Sequence, residues 1–255
     1  LQAFRKVQLE KEAQLQVKLV SFGNKLSEQQ KYSVLKKKVV VGIGGKFSAG
    51  KSKFINSLLK AEEELLPEDQ NPTTSIPTYI IYGDKEEICA FTPYNGKVQL
   101  DVNALQALTH KFYDKYKMGF SSFISNLVLE EPKMPYQNLV FLDTPGYSKA
   151  DYYNNEGTLQ RSISDEKKAY EQLRNVDYLI WLVDIENGTL NETDVEFISK
   201  LNLENPILIV ANKADKKIDN EIKDVVKNIE DVAISSGLNL FAVTAYSSRD
   251  NVEWK

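Results

Sequence analysis

The chain has one cysteine, Cys89, and one histidine, His110, among its 255 residues. A lone cysteine excludes an internal disulfide and suits a reducing compartment. With a single histidine beside it, the usual ligands of a zinc site and the partners of a Cys–His nucleophile pair are both wanting. An excess of basic charge is missing too: 32 Lys and Arg stand against 36 Asp and Glu, for a net charge of −4. Such a balance offers no broad positive field, so nucleic acid is not an expected partner. The run Lys36-Lys37-Lys38 is short and lies just before a strand, where solvated lysines are ordinary. No apolar stretch approaches the ~18 residues of a membrane span, and no leader peptide opens the sequence. These absences point to a cytoplasmic protein. With 42% hydrophobic residues, the chain can bury one sizeable core and a smaller appendage.

Residues 1–35 lack proline and carry one glycine, Gly23. Their apolar positions recur at helical spacing, as Leu9, Ala13, Val17, Val20 and, beside them, Leu15, Leu19, Phe22, Leu26. One long helix is expected there, ahead of the main domain. From Lys38 the texture changes to β-branched runs of the kind buried on both faces of a parallel sheet. They lie at Val39–Ile43, Thr78–Tyr82, Asn138–Leu142, Tyr178–Val183, Ile207–Ala211 and Leu240–Val243. Helical patterns fall at Ser52–Lys60, Thr158–Arg174, Thr193–Leu203 and Ile218–Ser235. Strands alternating with helices give an α/β fold with a mostly parallel central sheet flanked by helices. The interval 86–133 is less regular, with a candidate hairpin at Asn95-Gly96, a helix near Val102–Tyr116 and a strand near Leu127–Leu129. The chain begins at Leu1 and ends in polar Asn251–Lys255 soon after a core strand, so it reads as a piece of a longer protein.

The chemistry is concentrated at strand ends. Gly45-Lys46-Phe47-Ser48-Ala49-Gly50-Lys51-Ser52 fits G-x-x-x-x-G-K-[ST], with an apolar strand before it and a helix after it. Glycines there let backbone N–H groups turn inward as an anion nest at a helix N-terminus. Lys51 would then reach the β- and γ-phosphates, and the Ser52 hydroxyl would ligate Mg²⁺. A bland βα turn has no need of Lys-Ser at that spacing. Asp143-Thr144-Pro145-Gly146 directly follows the strand Asn138–Leu142. Asp143 would hold the Mg²⁺ through a bound water, and Gly146, without a side chain, lets its N–H approach the γ-phosphate.

Asn212-Lys213-Ala214-Asp215 ends the strand at Ile207–Ala211. The Asp215 carboxylate can accept from guanine N1–H and N2–H₂, a donor pair that adenine does not present. Lys213 can lie over the base, and Asn212 can tie this loop to the phosphate loop. Such polar pairing rejects the wrong base strongly. Thr244-Ala245-Tyr246, after the final strand, would give a backbone N–H to guanine O6.

These motifs stand in GTPase order, and within GTPases the sequence resembles the dynamin superfamily, bacterial dynamin-like proteins in particular. The resemblance rests on the phosphate loop, then Phe54-Ile55-Asn56-Ser57-Leu58-Leu59, Leu66-Pro67, Pro72-Thr73-Thr74, Ser75-Ile76-Pro77-Thr78 and the Asp143 motif. Phe47 replaces the Gln of eukaryotic dynamins, in keeping with a bacterial subgroup. The resemblance implies a switch threonine at Thr74, with Thr73 the alternative, completing the Mg²⁺ shell and orienting the attacking water. It further implies a monovalent cation, K⁺ or Na⁺, near Ser48, and catalytic roles for Ser48, Lys51 and Thr74. Tyr147 sits where small signalling GTPases place a water-orienting Gln, so charge compensation must come from elsewhere. Residues 1–35 would be a neck or stalk helix of a bundle and 36–255 the GTPase domain. The partners implied are GTP and GDP, a second GTPase domain, and a membrane reached through segments outside this chain. A non-enzymatic GTP-dependent switch and a ribosome-assembly GTPase are the alternatives.

Overall fold

The computed structural model describes residues 11–16, 19–20, 22–23, 35, 37–46, 48–59, 66, 76–92, 94, 96–101, 123–144, 146 and 166–254. The expected helix near Val102–Tyr116, and Phe47, Thr73, Thr74 and Tyr147, lie outside the described residues. The chain divides into two compact units, Leu1–Lys38 and Val39–Lys255. In the first, 11–16, 19–20 and 22–23 are helical, and Leu15, Leu19, Val20 and Phe22 are exposed.

Among the described residues the second unit is built on a sheet of ten strands. In chain order these are β1 (Val39–Gly45), β2 (Thr78–Ile81), β3 (Glu87–Phe91), β4 (Lys97–Leu100), β5 (Asn126–Glu130), β6 (Leu139–Asp143), β7 (Tyr178–Asp184), β8 (Ile207–Asn212), β9 (Leu240–Ser247) and β10 (Val252–Trp254). The described helices are α1 (Lys51–Leu59), α2 (166–173), α3 (Glu192–Leu201) and α4 (Asp219–Ser235). The spatial order is β10-β9-β8-β7-β1-β6-β2-β5-β3-β4. The contiguous strands β6, β1, β7, β8 and β9 run parallel. Antiparallel pairing enters where β2 meets β6 and β3 meets β5 and β4, and again where β10 adds to β9. The described part of the irregular interval 86–133 holds the antiparallel pair β3 and β4, with β3 beside β5. Because β6, β1, β7 and β8 share a direction, the loops leaving their C-terminal ends gather on one rim, where ligands of open α/β sheets bind.

β1 explains how the sheet takes helices on both faces. Val41 and Ile43 point into a core with Phe54 and Ile55 of α1, Ile80, Phe141 and Val210. Gly42 and Gly44 face the other way. A Cβ on Gly44 would sit 2.6 Å from the Trp181 ring and 3.0 Å from Leu173 of α2. Trp181 is wholly buried and stacks on Phe197 of α3 with ring centroids 5.5 Å apart, so it has little room to withdraw. We therefore expect Gly44→Ala to destabilise the domain by about 1–3 kcal/mol through overpacking, read as a lower midpoint in urea with unchanged slope. A midpoint at or above the parent's would contradict this packing.

Candidate functional site

The turn after β1 is held by its own lysine. Lys51, the first residue of α1, is buried, and its Nζ donates to the carbonyls of Gly45 and Lys46, both at 3.2 Å. Ser48 at φ 67° and Gly50 at φ 83° carry the loop through left-handed backbone. Gly50 has a second constraint: a Cβ there would stand 2.7 Å from Asn212 Nδ2. The carbonyls of Gly45, Lys46 and Ala49 are thereby engaged, by Lys51 Nζ and Asn212 Nδ2, beside the N-terminus of α1, where backbone N–H groups favour an anion.

Asp143 ends β6, paired in register with Ile43 of β1. Its Oδ2 accepts from Ser52 Oγ at 2.9 Å, while Oδ1 is buried with no hydrogen-bond partner. Thr144 Oγ1 donates to the Ile43 carbonyl at 2.8 Å, pinning the next turn to β1, and Gly146 beyond it is buried. An orphaned carboxylate oxygen beside a hydroxyl is an all-oxygen donor set, which suits a small hard dication such as Mg²⁺. Among the described residues no group of three or more His, Cys, Asp or Glu could hold a metal. Among the described residues the ligands on offer are the Asp143 carboxylate and the Ser52 hydroxyl.

The third part of the site is at the end of β8. Asn212 is 1% exposed; its Nδ2 donates to the Ala49 carbonyl at 2.9 Å. Its Oδ1 accepts from Ser248 Oγ at 2.7 Å and from the Ser248 N–H at 3.3 Å. Lys213 follows at φ 65°, with its Nζ 2.6 Å from Asp184 Oδ2. Asp215 Oδ1 accepts from Ser247 Oγ at 2.9 Å, and Oδ2 lies 3.3 Å from Arg249. The Asp250 N–H donates to Ser247 Oγ, which leaves that hydroxyl's proton for a carboxylate.

The profile of the Dynamin family matches residues 39–214, well over half of the chain. The chain belongs to the dynamin family. Members of that family are GTPases, and the fold is a P-loop GTPase fold. This dynamin-family chain is similar to Dynamin-like protein 2 of Campylobacter jejuni, at 23% identity over 224 residues. The match covers 87% of this chain and 33% of that protein, so the chain spans about a third of its curated relative. It is also similar in fold to two solved chains of an oligomerised bacterial dynamin pair, described as providing a mechanism for long-range sensing and tethering of membranes. Their TM-scores are 0.57 and 0.55, each at 20% identity, covering 89% and 90% of this chain and 36% and 43% of theirs.

In this dynamin-family domain the structure brings Lys51, Ser52, Asp143, Asn212, Lys213 and Asp215 to one rim. It does not bring Thr244, Ala245 and Tyr246 there as a loop. Those three lie inside β9, paired with β8 on one side and, for Ala245 and Tyr246, with β10 on the other. Their backbone is engaged in the sheet, and Thr244 Oγ1 is spent on Glu253 and on the Trp254 carbonyl. The turn that meets the Asn212–Asp215 loop is Ser247-Ser248-Arg249, one step further along. A polar Ser-Ser-Arg-Asp following an apolar run was the signal for it.

Burial pushes Lys51 down to about 8, with Asp143 pulling partly the other way. Asp143 is raised above the usual carboxylate range by its own burial, opposed by Lys51, Ser52 and the Thr144 backbone. Phosphate binds the ammonium rather than the amine. Nucleotide affinity should therefore be level up to about pH 7.5 and fall toward about tenfold per unit above pH 8. Stability of the free chain should move oppositely. Between about 8 and the ordinary lysine value of 10.5 the unfolded chain holds more protons, so unfolding becomes harder as pH rises. Calorimetry and thermal melts across pH 7–9 give both slopes; an affinity flat to pH 9 would refute the assignment of Lys51.

Proposed function

We propose that this chain binds GTP and GDP and hydrolyses GTP to GDP and phosphate, coupling the cycle in the whole protein to rearrangement of a helical stalk or a membrane. The observation that carries the reading is the Asn212 side chain, which joins the Ala49 carbonyl of the phosphate loop to Ser248 beside the base loop. One ligand with phosphate at one end and guanine at the other fits that joint. In this reading the nest around Ala49–Lys51 takes the β-phosphate, Lys51 neutralises the β- and γ-oxygens, and Asp215 pairs with guanine N1 and N2. Ser52, Asp143 and the switch residue Thr74 would hold Mg²⁺, which supplies charge stabilisation between the β- and γ-phosphates. Thr74, with Thr73 as the alternative, keeps its role from the family resemblance. So does Ser48, beside which a monovalent cation, K⁺ or Na⁺, would offset transition-state charge in place of a glutamine.

Self-association of GTPase domains is proposed on the same footing, and agrees with the oligomerised bacterial pair to which the fold is similar. Among the described residues no helix is long and apolar enough to cross a bilayer. Membrane contact is accordingly assigned to segments outside this chain, in a protein working at the cytoplasmic side. Residues 1–35 are proposed as a bundle helix. Leu15, Leu19, Val20 and Phe22 stand 53–61% exposed, and each would be worth ~1.5–3 kcal/mol if buried.

Binding and turnover test this together. GTP and GDP should bind with Mg²⁺ at least about a hundredfold more tightly than ATP and ADP, the upper end of the ~1–3 kcal/mol that unpaired buried polar groups cost. Asp215→Asn should shift the preference toward xanthosine nucleotides. Turnover should rise with protein concentration and require K⁺ or Na⁺. Equal binding of ATP and GTP by the parent chain would overturn the base assignment. Binding of GTP without turnover at any concentration in K⁺ would leave a switch in place of an enzyme.

A further inference from the structure

Lys213 and Lys46 belong to different nucleotide loops, yet both are held by acids that flank one connection, the segment between β7 and α3. Asp184 closes β7 and pairs with Lys213 at 2.6 Å; Asp194, in the first turn of α3, stands 3.7 Å from Lys46. Between them Glu186 pairs with Lys216, also in the base loop. The connection itself is fixed in place. Asp184 Oδ1 accepts from the Glu186 N–H at 3.0 Å, capping the short turn Ile185–Asn187. The Gly188 carbonyl accepts from Asn228 of α4 at 2.9 Å, and the Asp194 carboxylate caps α3 by accepting from the Asn191 N–H at 3.2 Å. A cavity of about 260 Å³ lies alongside, walled by Lys46, Ser48, Asp184 and Asp194 among others.

We propose that Asp184 is a positioning residue for guanine-nucleotide binding, holding Lys213 extended across the base site before the ligand arrives. The inference rests on the reading of Asn212–Asp215 as the guanine loop. Four observations support it. Lys213 adopts φ 65°, an uncommon backbone for a residue with a Cβ, which persists only when surrounding contacts over-determine it. Its Cε lies 3.9 Å from the position a Cβ on Gly50 would take, so the stem runs beside the phosphate loop instead of out to solvent. The pair is also largely sheltered, with side-chain exposures of 27% for Lys213 and 15% for Asp184. β7 and β8 pair with Asp184 opposite Asn212, so the sheet register itself sets the acid one strand away from the lysine. A lysine free in solution would have to surrender its rotamer freedom on binding. One already tethered does not, and that difference corresponds to roughly 3- to 10-fold in affinity.

Asp184→Asn isolates the effect, because the asparagine Oδ1 can still cap the 185–187 turn while the charge on Lys213 loses its partner. The probe is a fluorescent N-methylanthraniloyl derivative of GDP, chased with excess GDP in Mg²⁺ buffer. Dissociation should be roughly 3- to 10-fold faster in D184N than in the parent, with the preference for GDP over ADP kept, since Asp215 is untouched. If Asp184 acts through Lys213, adding D184N to Lys213→Met should change the rate no further. Unchanged or slower dissociation in D184N would overturn the proposal, and so would the same acceleration in both backgrounds, which would mark a merely structural role. A parent chain that fails to bind the probe would instead overturn the guanine reading on which the proposal stands.

Discussion

Asn212 makes the bonds that turn three separate loops into one site. Its amide spans the phosphate loop at Ala49 and the turn at Ser248, and at 1% exposure it has no water to fall back on. Leaving a buried acceptor such as the Ala49 carbonyl unpaired costs about 1–3 kcal/mol. The phosphate loop therefore cannot shift without the base loop, nor the reverse. Gly50 is part of the same joint, since any Cβ there would push against the Asn212 amide. The parallel run β6-β1-β7-β8 is what makes so short a link possible, because it delivers Asp143, the phosphate loop, Asp184 and Asn212 to the same rim.

The rim is also where the fold accepts electrostatic cost. Lys51 and Asp143 are both desolvated enough to be pushed toward their neutral forms, each only partly relieved by the other. Asp143 Oδ1 finds no donor. In the proposed reading, a triphosphate with its dication would satisfy both groups at once, with anionic oxygens against the ammonium and a cation against the carboxylate. Ion pairs further out behave differently. Arg249–Asp215 is mostly solvated at the arginine and is worth little, whereas Lys213–Asp184 is sheltered and fixes geometry.

Much of this was legible in the sequence, for physical reasons that differ by element. The phosphate loop could be read because its glycines and Lys-Ser have no purpose in an ordinary turn. Asp143 and Asn212 could be read because polar residues ending an all-apolar run must face a rim. The strand Leu240–Val243 was read too short. Thr244 and Tyr246 are polar or half-polar residues that follow an apolar run, and their place in β9 comes from pairing with Val210 and Asn212 of β8, a partner that the local pattern does not reveal. That misplacement moved the expected turn from Ser247–Arg249 to Thr244–Tyr246. Asp184 and Asp194 were missed because pairing across the connection between β7 and α3 depends on register and packing. The antiparallel edge β3–β4 was visible only as an Asn95-Gly96 signal.

The central claim is that Asn212 couples the base and phosphate ends of the site. Titrating GDP and ADP into the folded Asn212→Ala variant, with the parent alongside, tests it most directly. The account predicts that affinity for ADP and preference for GDP over ADP both fall, with GDP binding weakened by about 10- to 100-fold. A variant that binds GDP as tightly as the parent, or loses base preference while keeping its full affinity for ADP, would contradict it.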